Sequence, residues 1–153
     1  ALAAMEDRRP WLLVVGKDRW QQAMEKLAAK LGVAGRVRFL GGLKDVAPLY
    51  GAADLFCLPT LYDPFPNAAM EALAAGLPVV TTRNSGAAEL IRPGQNGLVC
   101  EAADAAGLAA ALDELSAPGR AASLSPAARA SALPWPVADT AQRLIALYRS
   151  VGA

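Results

Sequence analysis

Short apolar runs alternate with helical patterns along most of this chain, and that alternation is the sequence mark of a parallel sheet covered by helices. Strands are expected at residues 11–16, 37–40, 55–58, 79–82 and 98–100. Helices are expected at 18–31, 45–53, 67–75 and 87–91, followed by Ala-rich helices at 105–115, 126–132 and 137–151. Pro118-Gly119 and Pro134-Trp135-Pro136 read as breaks between the last three. A length of 153 residues suits one core and is short for two, and 54% hydrophobic with 19% charged residues is too apolar for disorder. The expectation is a single α/β domain over 1–153, a Rossmann-like parallel sheet with helices on both faces.

Several function classes start with poor odds. A formal charge of +1 gives no broad field for nucleic acid. Histidine is absent, which removes the usual Ser-His and Cys-His pairs and the commonest metal ligand. Cys57 and Cys100 lie in apolar runs without CxxC spacing and are expected to be buried strand residues. No apolar stretch reaches transmembrane length and the N-terminus lacks the order of a signal peptide, so a cytoplasmic location is expected. Trp11, Trp20 and Trp135 fall away from the expected ligand rim and are read as packing residues.

In an open parallel sheet, ligands bind beyond the C-terminal ends of the strands. That rule lines up Gly16-Lys17, residues 41–43, residues 60–67 and residues 83–86. The richest of these segments opens YDPFPNAAMEALAAGLPVV, residues 62–80. Pro64 and Pro66 favour a rigid loop entering a helix, Pro66 being tolerated at the first helical position. Gly76 and Pro78 then stop the helix. The amides of Asn67 and Ala68 would be free at the positive end of the helix dipole, a place for phosphate. Glu71, one turn further in, could accept from ribose hydroxyls, and Asp63 on the loop from sugar hydroxyls. On spacing alone, plain solvation near a helix start explains both carboxylates better than ligand contact does, and helix capping explains Glu89 better, while tight turns account for Gly16, Gly41 and Gly42 as well as ligand approach does.

The same segment resembles the signature of retaining GT-B glycosyltransferases of family 4. Its parts are two acidic residues with seven others between them, here Asp63 and Glu71, then an Ala-rich turn, a Gly-x-Pro-Val-Val strand, and a Gly-containing loop ending in Glu89. Within the family, the wording is most similar to glucosyltransferases of lipopolysaccharide core biosynthesis. The resemblance runs from about residue 12 to residue 99. It implies that Asp63 and Glu71 position the donor, that Gly16, Gly42 and Leu43 approach the base, that Glu71 meets the ribose, Asn67 and Ala68 the diphosphate and Asp63 the donor sugar, with Phe65 also among the donor-binding residues. It implies a nucleotide-sugar donor, UDP-glucose first among them, and no metal. Two positions depart from the pattern: Asp63 stands where most members have Glu, and Pro66 where many have Gly, which removes one amide.

The resemblance covers only the C-terminal, donor-binding half of a GT-B fold. The acceptor, a lipopolysaccharide core, would be held by an N-terminal half, and these residues by themselves would transfer no sugar. The intact enzyme would be peripheral to the inner face of the inner membrane. Non-catalytic nucleotide binding and glycoside hydrolysis by Asp63 and Glu71 are the alternatives. The chain also reads as starting after the first strand of its half, with residues 1–10 resembling the end of the following helix. In the Rossmann-like order 3-2-1-4-5-6, the runs at 11–16 and 54–58 would flank that strand. They are expected either to pair directly or to be closed by another chain, self-association included, with poor stability for an isolated monomer.

Overall fold

The described residues form five strands and six α-helices, in the order β1 (Leu12–Val15), α1 (Gln21–Lys30), β2 (Val37–Gly41), α2 (Ala47–Ala52), β3 (Phe56–Leu58), α3 (Asn67–Ala75), β4 (Val79–Thr82), β5 (Gly97–Cys100), α4 (Ala105–Ser116), α5 (Arg120–Ala132) and α6 (Val137–Ser150). The computed structural model describes every residue except 18, 136 and 153. The expected break at Pro136 and the Asp18 start of the first helix therefore lie outside the described residues. α1 is described from Gln21.

The core is built around β4, which is buried at every position. It pairs in parallel with β3 on one side and β5 on the other. Successive strand side chains point to opposite faces, so Val79 and Val80 seed different clusters. Val79 packs with Ala69, Ala72 and Leu73 of α3 and Ala128 of α5. Val80 packs with Leu108 and Leu115 of α4 and Leu124 of α5. Both faces of the sheet are thereby covered by helices, as the Rossmann-like expectation requires.

α5 begins at Arg120 rather than at residue 126, and Pro126 lies inside it. Packing overrides the local penalty here: Ala121, Leu124 and Ala128 are buried along one face of α5, against α3 and α4. The expected helix at 87–91 is a 3₁₀ turn over Gly86–Leu90, and no capping hydrogen bond to Glu89 is present among the described residues. The tryptophans do not fill the core. Trp11, Trp20 and Trp135 are 58%, 54% and 45% exposed, each lying under an arginine: Arg38, Arg19 and Arg143. The cysteines are half-buried rather than fully buried, and burial pushes the Cys57 thiol up to about 12.

β1 and β2 form a separate parallel pair, Leu12 opposite Val37, over a small cluster of Ala28, Val33 and Val37. The run at 11–16 does not pair with the run at 54–58, so the expected direct pairing is not what the chain does. Residues 1–10 contain no strand either. Their first residues make a helical turn, with the Ala4 and Met5 amides donating to the Ala1 carbonyl at 2.7 and 3.1 Å. That turn bridges the two sheets: Ala1 packs on the Val80 cluster, while Leu2 and Ala3 pack on the β1–β2 cluster. The amides of Glu6 and Asp7 donate to the Asp113 carboxylate at 2.9 and 3.1 Å, and Arg36 donates to the Leu2 carbonyl at 3.2 Å. The bridge secures the N-terminal turn but leaves β1 thinly covered, with Leu12, Leu13 and Val15 all more than a third exposed.

Candidate functional site

α3 opens without a side-chain cap. Pro66 occupies the N-cap in an extended conformation, one residue earlier than expected, and has no hydroxyl or carboxylate to offer the helix. Its carbonyl accepts from Ala69 at 3.1 Å. The amides of Asn67 and Ala68 have no acceptor among the described residues. An uncapped helix of this length leaves amide hydrogens and the positive dipole end available to an anion.

Glu71 lies one turn in, exposed, and Tyr50 of α2 reaches it: the phenol oxygen is 3.0 Å from Glu71 Oε2 and 3.4 Å from the Ala68 carbonyl. Burial, and then the hydrogen bond to Glu71, push the Tyr50 hydroxyl up to about 12, so it remains a donor. Nothing in the residue pattern points to this partner. A single tyrosine in a six-residue helix carries no periodic signal.

Asp63 is held at the C-terminal side of β3 and β4. Its amide donates to the Asn84 carbonyl at 3.1 Å, its carbonyl accepts from Gly86 at 2.9 Å, and it bridges to Ser85. The carboxylate folds onto its own loop, where Oδ1 accepts from the Phe65 amide at 3.1 Å, while Oδ2 has no partner among the described residues. This changes the expectation for Phe65. Its amide is already used by Asp63, so of this residue only the half-exposed ring is left to meet a ligand.

The loop between β3 and α3 is tied down from beneath. Thr81 Oγ1 donates to the Leu58 carbonyl at 3.0 Å, Thr82 Oγ1 to the Thr60 carbonyl at 2.6 Å, and Asn84 Nδ2 to the Leu61 carbonyl at 3.0 Å. Two adjacent threonines in a fully buried strand are a signal that could have been read, since buried hydroxyls need partners. Gly86 is part of the same support: a Cβ there would collide with the Pro64 carbonyl, so only glycine lets the chain pass so close. Ser85 Oγ is buried in this layer without a partner among the described residues.

Gly16, Gly42 and Leu43 gather at the ends of β1 and β2. The Gly16 amide donates to the Gly41 carbonyl at 2.9 Å, with Gly16 at φ 138° and Gly41 at φ 66°, so the tight-turn role is real at both. The Lys17 side chain lies over Gly42, where a Cβ would push it aside, and Leu43 is 44% exposed. The structure thus brings Glu71, Ala68 and Tyr50 into direct contact, and Asp63 with Phe65. The Gly16 group makes no hydrogen bond to these residues among the described ones; it is tied to them in chain order, by α2, which follows the Gly42-Leu43 turn and packs on α3.

Comparison with known proteins gives these parts a context. The family described as Glycosyl transferases group 1 matches residues 1–117. A lipopolysaccharide core biosynthesis glycosyltransferase of Rhizobium meliloti, LpsE, is 41% identical over 105 residues, which is 69% of this chain and 30% of that protein. The crystal structure of WaaG, a glycosyltransferase involved in lipopolysaccharide biosynthesis, superposes with a TM-score of 0.76 at 33% identity, over 86% of this chain and 36% of that one. Anabaena Alr3699/HepE, solved in complex with UDP, does so with a TM-score of 0.84 at 27% identity, over 97% and 43%. The chain spans less than half the length of each of these proteins.

Proposed function

Since this chain belongs to the Glycosyl transferases group 1 family, we propose that it is the donor-binding part of a retaining glycosyltransferase, which moves glucose or a related hexose from UDP-glucose to a lipopolysaccharide core. The observation that carries this reading is the pairing, on one helix, of unused amides at Asn67 and Ala68 with an exposed carboxylate at Glu71. The amides receive the diphosphate. Glu71 receives the ribose hydroxyls, and Asp63 contributes its open oxygen to the sugar. As the glycosidic bond breaks, negative charge grows on the departing diphosphate, and fixed amides at a helix N-terminus stabilise it without reorganising. The reading assigns that role to amides and basic side chains rather than to a metal.

The choice of UDP is supported by the likeness to the UDP complex of HepE, and the choice of acceptor by the likeness to LpsE and WaaG. In this reading the acceptor hydroxyl is presented by a second Rossmann-like half, and the work is done at the cytoplasmic face of the inner membrane by a peripheral enzyme. Among the described residues no helix is long and apolar enough to cross a membrane.

Titration calorimetry with UDP and UDP-glucose tests the assignment. Glu71→Ala is expected to weaken binding by about 1.5–3 kcal/mol, the worth of a hydrogen bond to a charged group. Equal affinity for the parent chain and the variant would contradict it.

A further inference from the structure

We propose that Tyr50 is a positioning residue for the donor nucleotide, its phenol holding the Glu71 carboxylate in the orientation that receives the ribose hydroxyls. The inference rests on the nucleotide reading of α3 and adds to it a residue outside the acidic motif.

The geometry starts with the ring. Tyr50 meets Phe56 of β3 edge-on, centroids 5.9 Å apart at 63°, and packs against the cluster that contains Ala69, Ala72 and Leu73. Those contacts fix the ring, and through it the hydroxyl, at the mouth of α3. The hydroxyl has one hydrogen and two candidate acceptors, Glu71 Oε2 at 3.0 Å and the Ala68 carbonyl at 3.4 Å. The nearer acceptor is also the charged one, so it takes the hydrogen.

An exposed glutamate has several rotamers to lose when it engages a ligand. With Oε2 held by Tyr50, Glu71 has already lost that freedom, and Oε1 is left to accept. The anchor thus removes part of the ordering cost of nucleotide binding before the nucleotide arrives. It also joins the two ends of the proposed site, because the same hydroxyl lies beside Ala68, whose amide is assigned to the diphosphate.

Tyr50→Phe keeps the ring and its contact with Phe56 and removes only the hydroxyl. Calorimetry with UDP is expected to show roughly a two- to tenfold loss of affinity for this variant, the scale of one hydrogen bond. Against a UDP analogue lacking both ribose hydroxyls, Tyr50→Phe and the parent chain are expected to bind alike. Tyr50→Phe/Glu71→Ala is expected to bind UDP no more weakly than Glu71→Ala alone. A purely structural role for Tyr50 would lower affinity for both nucleotides and would add to Glu71→Ala, and that result overturns the proposal. Dependence on Glu71 with none on Tyr50 overturns it while sparing the nucleotide reading. Absence of UDP binding, or binding indifferent to Glu71, overturns both.

Discussion

Thr82 Oγ1 donates a 2.6 Å hydrogen bond to the carbonyl of Thr60, tying the fully buried strand at the centre of the sheet to the loop that carries Asp63. Thr82→Val keeps the shape of the side chain and strands that carbonyl. A loss of about 1–3 kcal/mol is expected in urea unfolding, because a half-buried acceptor is left without its partner. Affinity for UDP-glucose should fall with it, since the loop sets the position of Asp63, whose open oxygen is assigned to the sugar. An unchanged midpoint would show that the loop is held elsewhere.

Gly86 supports the same loop by getting out of its way. A methyl group at this position collides with the Pro64 carbonyl and crowds the Phe65 ring at 3.3 Å, both parts of the turn between Asp63 and Pro66. Gly86→Ala is expected to destabilise the chain by about 1–3 kcal/mol, read as a lower denaturation midpoint. A variant as stable as the parent would mean that the loop yields freely and does not hold Asp63 in a set place.

Pro126 is exposed in the middle of α5, where it has no amide hydrogen for the helix. Pro126→Ala should stabilise the chain, by an amount up to about the 3 kcal/mol that separates these residues in helix interiors. Thermal unfolding followed by circular dichroism measures it. A fall in melting temperature would indicate that α5 needs the proline's shape.

Alkaline pH should weaken the fold. Burial raises Cys57 from 9.0 to about 12, and burial with the Glu71 hydrogen bond raises Tyr50 from 10.0 to about 12. In both cases the folded chain binds the proton more tightly than the unfolded one. Their contribution is therefore fully present below the unfolded values and is lost as pH rises through the folded ones. The urea midpoint is expected to fall between pH 9 and 12, and to fall less steeply in Tyr50→Phe and in Cys57→Ala. A parent chain whose midpoint is flat across that range would contradict the sign.

The parts of the fold visible in the sequence are those set by local chemistry. α3 runs over Asn67–Ala75 and β4 over Val79–Thr82, as expected, because prolines, a C-capping glycine and a β-branched run mark both ends of each. What escaped depends on contacts distant in sequence. The start of α5 was hidden because a proline is a local stop signal, while the packing that overrides it comes from α3 and α4. The exposed tryptophans were misjudged because size and apolarity do not tell whether a facing surface exists. In the candidate site the acidic pair and the free helix start were legible, whereas Tyr50, Thr81 and Thr82 were not assigned, since each acts through a partner twenty or so residues away.

In the proposed donor site the N-terminus of α3 holds the diphosphate and Glu71 the ribose. Titrating ¹⁵N-labelled chain with UDP and following amide chemical shifts tests it directly. Asn67 and Ala68 are expected to shift most, with Glu71 and its neighbours next, whereas uridine, lacking the diphosphate, is expected to leave Asn67 and Ala68 nearly unmoved. Saturable UDP binding with the largest shifts away from the start of α3 would contradict it.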